Sequence, residues 1–174
     1  MTYITSIPSP VGLLTLSSNG THITGLWIKG QKYFGSTLGE AGKQKAQKEN
    51  DTSVSLPVFE EAKRWLDIYF SGKEPDFMPP LAPAGSGFRQ MVWEILQAVP
   101  YGQTITYGQI AEKCAEKLGR ASMSAQAVGG AVGHNPISIM IPCHRVLGAR
   151  GSMTGYAAGV EVKERLLRLE RVLK

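Results

Sequence analysis

Four prolines fall between residues 75 and 86, in a stretch of little charge. Proline fixes φ and removes a backbone donor, so neither a helix nor a central strand runs through such a segment. The chain therefore reads as two pieces, an N-terminal α/β domain over 1–74 and a second domain over 87–174, with 75–86 as a linker. At 174 residues it is long enough for two small cores.

In the first piece, Val11–Leu16 and Ile23–Ile28 alternate and branch like strands, and Ser17-Ser18-Asn19-Gly20 supplies the turn of a hairpin. Gly39–Asn50 is polar and lysine-rich and reads as a mobile loop. Pro57–Phe70 places Val58, Ala62, Trp65 and Tyr69 at helical spacing, with Phe59, Leu66 and Phe70 alongside, and Ser71-Gly72 stops the helix.

The second piece is mainly helical by the same criteria. A helix carries Phe88, Met91, Val92, Ile95, Leu96 and Val99 on one side and ends at Pro100-Tyr101-Gly102. Thr106-Tyr107-Gly108-Gln109 is a capping box opening a helix to about Glu116, and another helix runs from about Met123 to Gly133. Two short helices joined by a turn form a helix-turn-helix candidate. The second of them has almost no bulk, with Ala125, Ala127, Gly129, Gly130 and Ala131. Each interior glycine costs about 1 kcal/mol relative to alanine, so a close approach of the backbone to something must compensate. Tight helix–helix packing would suffice, and so would a DNA backbone or minor groove. Gln126 is the only long polar side chain on the central face, too little for strong reading of base edges in the major groove. Ile137–Ile141 reads as a short apolar strand. A last helix from about Val160 to the chain's end turns Val162, Leu166, Leu169 and Val172/Leu173 inward, with Glu170 at the border of the stripe.

That apolar strand delivers Pro142-Cys143-His144-Arg145-Val146. A thiol beside cations loses its proton more easily, and the thiolate is the reactive form, so Cys143 is a nucleophile candidate; a buried structural cysteine is the other reading. Cys114 and Cys143 do not make a disulfide framework, which points to a reduced, cytoplasmic setting. His22, His134 and His144 are too scattered for a structural zinc site. No run of residues is long and apolar enough for a membrane span, and no secretory signal is visible. Residues 1–87 hold 8 Lys/Arg against 8 Asp/Glu, whereas 88–174 hold 11 against 6, so the excess of +5 lies in the half carrying Cys143. Such a half suits a polyanion, although a solvated basic surface gives the same count.

The second half resembles the O6-alkylguanine-DNA alkyltransferases, also called methylated-DNA–protein-cysteine methyltransferases. The resemblance rests on Pro142-Cys143-His144-Arg145-Val146, Asn135-Pro136, Ala127-Val128-Gly129-Gly130-Ala131, Thr106-Tyr107-Gly108-Gln109-Ile110-Ala111 and Gly155-Tyr156, in the family's order, and on Lys163, Leu166, Leu167 and Glu170 in the closing helix. Pro10-Val11-Gly12-Leu13-Leu14 is similar to the start of the family's N-terminal domain. The resemblance implies an α+β protein: a small mixed sheet-plus-helix, ribonuclease-H-like domain, then a mainly helical domain with a helix-turn-helix.

It also implies suicide repair of double-stranded DNA. Gln126, Ala127, Gly130, Tyr107 and Arg145 would contact DNA through the minor groove. The O6-alkylguanine, or O4-alkylthymine, would be flipped into a pocket lined by Val146, Ser152, Tyr156 and Ala157. Cys143 would take the alkyl group, His144 would draw the thiol proton through a water, Glu170 would orient His144, Tyr107 would donate to the departing guanine, and Asn135 would brace the turn. Since the lesion is the donor, no metal or cofactor is implied, and the protein would act as a monomer without a membrane. Three departures stand out: Gln126 where the family often has arginine, a longer Cys114–Ser122 stretch, and Ala157-Ala158 in place of a more glycine-rich pair. Gln126 can hydrogen-bond an orphaned base but lacks the charge, so weaker grip or slower flipping is expected. Rival readings are an alkyltransferase-like DNA binder without chemistry, a helix-turn-helix regulator, and a cysteine hydrolase. The presence of Cys143, the lack of base-reading side chains and the lack of a visible oxyanion hole weigh against them in turn.

Overall fold

The structure, a computed structural model, describes residues 1–47 and 55–174. The chain divides into two compact units, Met1–Ala84 with Pro136–Ser138, and Gly85–Asn135 with Ile139–Lys174.

The first unit is built on an antiparallel sheet in the order β1 (Tyr3–Ile7), β2 (Leu14–Ser18), β3 (Ile23–Ile28). The hairpin is present, but β2 continues through Ser17 and Ser18, and Asn19–His22 make the turn. Both serines are fully buried; Ser17 is satisfied by Thr24 Oγ1 at 2.9 Å and Ser18 Oγ accepts from the Gly20 amide at 2.9 Å, which is why serines that read as turn chemistry belong to a strand. Strand β1 had no reading in the sequence. Helix α1 (Glu40–Gln47) packs against β1, and α2 (Pro57–Phe70) packs against β2 and β3, so all five β2 residues are buried. The expected loop over 39–50 is corrected by α1, whose Ala46 joins Leu38, Ile4 and Trp27 in one apolar cluster; residues 48–50 lie outside the described residues. Helix α2 has the expected bounds and buries Val58, Phe59, Ala62, Trp65, Leu66 and Tyr69. Residues 80–82, inside the proline-rich segment, hydrogen-bond to β3: the Ile23 amide donates to Pro80 O and the Ala82 amide to Ile23 O, each at 2.8 Å.

The second unit packs α3 (Gly87–Gln97), α4 (Tyr107–Leu118) and α5 (Ala125–Gly133) against one another. Ser86 caps α3, the Thr106/Gln109 capping box opens α4 and Gly119 in the left-handed region closes it, and Ser124 caps α5. Phe88 and Met91 are only half-buried, while Trp93 is buried and donates from Nε1 to Ala131 O at 2.9 Å, tying α3 to α5. The short strands β4 (Ile105–Thr106) and β5 (Val146–Leu147) pair in parallel, and α6 (Val160–Leu169) packs on the turn formed by Cys143–Arg145.

The expected strand over 137–141 is not formed. Ile137 makes a single bridge to Leu26, and the chain then turns, with the fully buried Ile139 at φ 72°. A β-branched residue is rarely found there, so burial of its side chain overrides its β propensity. The expected inward stripe of α6 is also shifted. Lys163, Leu166, Leu167 and Glu170 face inward, while Val162, Leu169, Val172 and Leu173 are only half-buried; the helix ends at Leu169, beyond which Arg171 takes a left-handed φ of 65°.

Candidate active site

Local chemistry places the sulfur. After the turn at Ile139, the Cys143 amide donates to Ile141 O at 2.8 Å and the Arg145 amide to Pro142 O at 3.0 Å, coiling Cys143–Arg145 into one tight turn. β5 follows at once, and its register with β4 (Ile105 to Val146, Thr106 to Leu147) brings the start of α4, with Tyr107, to the same place. Asn135, just after α5, donates from Nδ2 to Ile141 O at 2.8 Å, so its side chain braces the segment that precedes the cysteine. Cys143 and Asn135 are both buried, and Asn135 also hydrogen-bonds the sulfur.

Behind the sulfur lies a closed polar cluster. His144 is fully buried, with Nε2 at 2.5 Å from Glu170 Oε2. Glu170 Oε1 accepts from Arg145 Nε at 2.8 Å and from the Gly102 amide at 3.1 Å, and Arg145 Nη1 donates to Val99 O at 2.8 Å. The Arg145 guanidinium also sits 5.8 Å from the centre of the Tyr101 ring. Arg145 was expected to contact DNA. That expectation is corrected, because its side chain is only 10% exposed and its donors serve Glu170 and Val99.

These contacts set the charges. Burial would raise Glu170, but the hydrogen bonds from His144 and Arg145 overcome it and hold the carboxyl at about 2. Burial pushes His144 below its ordinary value, against the pull of Glu170, so the ring is neutral at pH 7. A neutral ring that donates from Nε2 keeps its lone pair on Nδ1. Burial also pushes the Cys143 thiol up, opposed by the Asn135 hydrogen bond, by Lys163 and by Tyr156. The expectation that the adjacent His144 and Arg145 favour the thiolate is thus corrected. His144 is uncharged, Arg145 is held by Glu170, and the resting sulfur is a thiol.

The opposite wall is the segment 148–157. The Gly148 amide donates to Ser152 O at 2.8 Å, and a Cβ on Gly148 would lie 2.2 Å from Ser152 Oγ, so a larger residue there would force the Ser152 side chain to move. Val146 is buried at its base, Ser152 is exposed, and Tyr156 and Ala157 are half-buried. The Tyr156 hydroxyl is buried beside the sulfur, and burial, then the sulfur, drives its pKa far up. Tyr107 Oη lies 3.6 Å from where a Gly155 Cβ would stand, so Tyr107 meets this loop from the α4 side. Burial raises its pKa, which keeps the phenol protonated. The structure therefore brings together Cys143, His144, Glu170, Tyr107, Asn135, Val146 and Tyr156.

Gln126, Ala127 and Gly130 lie elsewhere, on an exposed face of α5. A Cβ added to Gly129 or Gly130 would meet nothing within 4 Å. Helix–helix packing therefore does not explain these two glycines. Two residues escaped the sequence reading of the site. Tyr101, whose hydroxyl donates to Leu169 O at 3.4 Å, carries no sequence signal. Lys163 does: it and Glu170 share one helical stripe with Leu166 and Leu167, at spacings of 3, 4 and 7, where charged residues are out of place. Among the described residues no group of His, Cys, Asp and Glu is arranged to hold a metal ion, and no helix is long and apolar enough to cross a membrane.

Comparison with known proteins gives a consistent result. Residues 87–172 match the family described as 6-O-methylguanine DNA methyltransferase, DNA binding domain, and residues 2–83 match its ribonuclease-like domain. A methylated-DNA–protein-cysteine methyltransferase of Mycolicibacterium paratuberculosis is 41% identical over 95% of this chain and 90% of its own length. One from Haemophilus influenzae is 39% identical over 98% and 87%. Among solved structures, an O6-methylguanine methyltransferase of Mycobacterium tuberculosis superposes with a TM-score of 0.77 at 37% identity, covering 98% of this chain and 93% of that one. A Mycobacterium tuberculosis OGT in complex with DNA gives 0.76 at 36% identity, covering 97% and 92%.

Proposed function

This chain belongs to the 6-O-methylguanine DNA methyltransferase family and is a methylated-DNA–protein-cysteine methyltransferase that binds DNA and repairs it by alkyl transfer to a cysteine, and from that premise we propose that Cys143 is the acceptor, used once, for the alkyl group of O6-alkylguanine. The observation that carries this reading is the buried His144–Glu170–Arg145 cluster behind a buried thiol, a base and orienter with no other evident use. The exposed, glycine-bearing face of α5, with Gln126, Ala127 and Gly130, lies against the minor groove. The damaged base rotates into the space between Cys143, Val146, Tyr156 and Ala157, because a stacked base cannot present its alkyl carbon to the sulfur. O4-alkylthymine enters the same space.

The chemistry balances. The Cys143 proton passes through a water to His144 Nδ1, and Glu170 stabilises the imidazolium. The sulfur pair attacks the methyl carbon, the carbon–O6 bond breaks, and its electrons go to the guanine. Tyr107, held protonated, gives the leaving base a proton, so one proton leaves sulfur and one reaches the base. The product is a thioether, which nothing in the site can cleave. Arg145 takes no part in gripping DNA and instead keeps Glu170 ionised. Two free, buried cysteines support a reducing, cytoplasmic setting, and a single chain holding every proposed group supports action as a monomer.

The test is stoichiometric. Duplex carrying labelled O6-methylguanine, in excess, should lose label to protein up to one equivalent and then stop, and Cys143→Ala should take up none. Turnover past one equivalent, or uptake by Cys143→Ala, contradicts the proposal.

A further inference from the structure

We propose that Lys163 is a positioning residue for alkyl transfer: its buried ammonium pins the Thr154–Gly155 wall of the base pocket and stands as the counter-charge to the sulfur anion. The proposal rests on reading Cys143 as the acceptor.

Lys163 is fully buried on α6, a rare state for lysine unless a carboxylate shares the site. Among the described residues no carboxylate lies within ion-pair distance of it. Nζ instead donates to Thr154 O at 2.9 Å and Gly155 O at 3.3 Å. The carboxylate on the same stripe of α6, Glu170, is spent on Arg145 and His144. The buried charges therefore do not cancel in the resting protein. Arg145 and Glu170 offset each other, His144, Tyr107 and Tyr156 are neutral, the thiol is neutral, and the Lys163 ammonium is left over. Ionising the sulfur restores neutrality. Each partner favours the charged form of the other: Lys163 pulls the Cys143 thiol down against burial, and the sulfur holds the Lys163 ammonium up against burial.

The two hydrogen bonds give the same ammonium a mechanical role. Thr154 and Gly155 lie in the loop that carries Tyr156, and Gly155 is the residue that Tyr107 Oη approaches. One side chain on α6 thus fixes the loop that must accept the base, from the side away from solvent. A purely structural staple could be replaced by an uncharged donor. A counter-charge could not, and that difference is measurable.

Single-turnover methyl transfer is followed against pH for the wild type, Lys163→Gln, Lys163→Met and Lys163→Arg. Capture of Cys143 by iodoacetamide without DNA is followed in parallel. Glutamine keeps a donor for the carbonyls but no charge, methionine keeps the volume alone, and arginine keeps the charge. The limb on which rate rises with pH should move up by about one pH unit or more in the glutamine and methionine variants, in both assays, and stay near the wild type with arginine. At a fixed pH on that limb, this is a loss of roughly tenfold or more. A folded glutamine or methionine variant with the wild-type limb overturns the proposal. If neither variant folds, the wild type labelled with 13Cε-lysine decides. The Lys163 signal should titrate with Cys143 and lose that step once iodoacetamide has capped the sulfur; a signal indifferent to the cap overturns it. The capture and labelling experiments use no lesion, so they stand apart from the reading of the acceptor, which fails only if the wild type takes no methyl from damaged DNA.

Discussion

At the scale of single residues, Glu170 organises the site. It accepts from His144, Arg145 and the Gly102 amide, and its carboxyl is held at about 2 against an ordinary value of 4.5. A depressed carboxyl contributes stability that is complete above the unfolded value and is lost as pH falls towards the folded one. Stability should therefore fall between pH 4.5 and 2, by on the order of 3 kcal/mol for this group. Glu170→Gln should flatten that acid slope and, at pH 7, cost about 3–5 kcal/mol because Arg145 is left buried and unpaired. Urea unfolding of both proteins from pH 2 to 7 measures this; an unchanged acid slope in the variant would show that Glu170 is not the titrating group. The residues of this cluster were legible as types and in order, because Cys143, His144 and Glu170 stand in a specific pattern. Their charge states were not. Adjacency of Arg145 to Cys143 suggested an activated thiolate, yet the tight turn over 143–145 sends Arg145 to Glu170, and burial, which sequence does not display, sets the sulfur.

At the scale of elements, α5 gives up helix stability at two glycines that no packing contact requires. Gly129 and Gly130 have open space where a Cβ would be, and each costs about 1 kcal/mol of helix stability relative to alanine. Gly130→Ala should therefore stabilise the free protein by up to about 1 kcal/mol while weakening its binding to duplex DNA. Thermal melting and DNA titration at fixed salt check the two halves, and tighter or unchanged DNA binding would remove α5 from the interface. Helices α2 and α4 were legible to within two residues, because a proline start, a capping box and a stop signal act locally. What failed was set by tertiary partners. α1 exists because Leu38 and Ala46 find Ile4 and Trp27, Ser17 and Ser18 enter a strand because hydrogen bonds satisfy them, and the inward face of α6 follows Lys163 and Glu170, which a count of apolar residues alone passes over.

At the scale of the whole molecule, the second unit contains every residue assigned to the chemistry, and the first contains none. Two units were legible from the prolines at 75–83, although residues 80–82 turn out to bond to β3, since proline removes a donor but leaves the carbonyl of Pro80 and the amide of Ala82 for pairing. The proposed chemistry makes the protein a reagent that is consumed, because the thioether formed at Cys143 is not cleaved by any group assigned to the site. Cys114 is also buried, but it sits within α4, where burial raises its pKa against the pull of Lys117. Peptide mass mapping after exposure to a small excess of methylated duplex tests this most directly. The account predicts a gain of one CH2 on the peptide containing Cys143 and none on the peptide containing Cys114; an unmodified Cys143 peptide in protein that has cleared the lesion would contradict it.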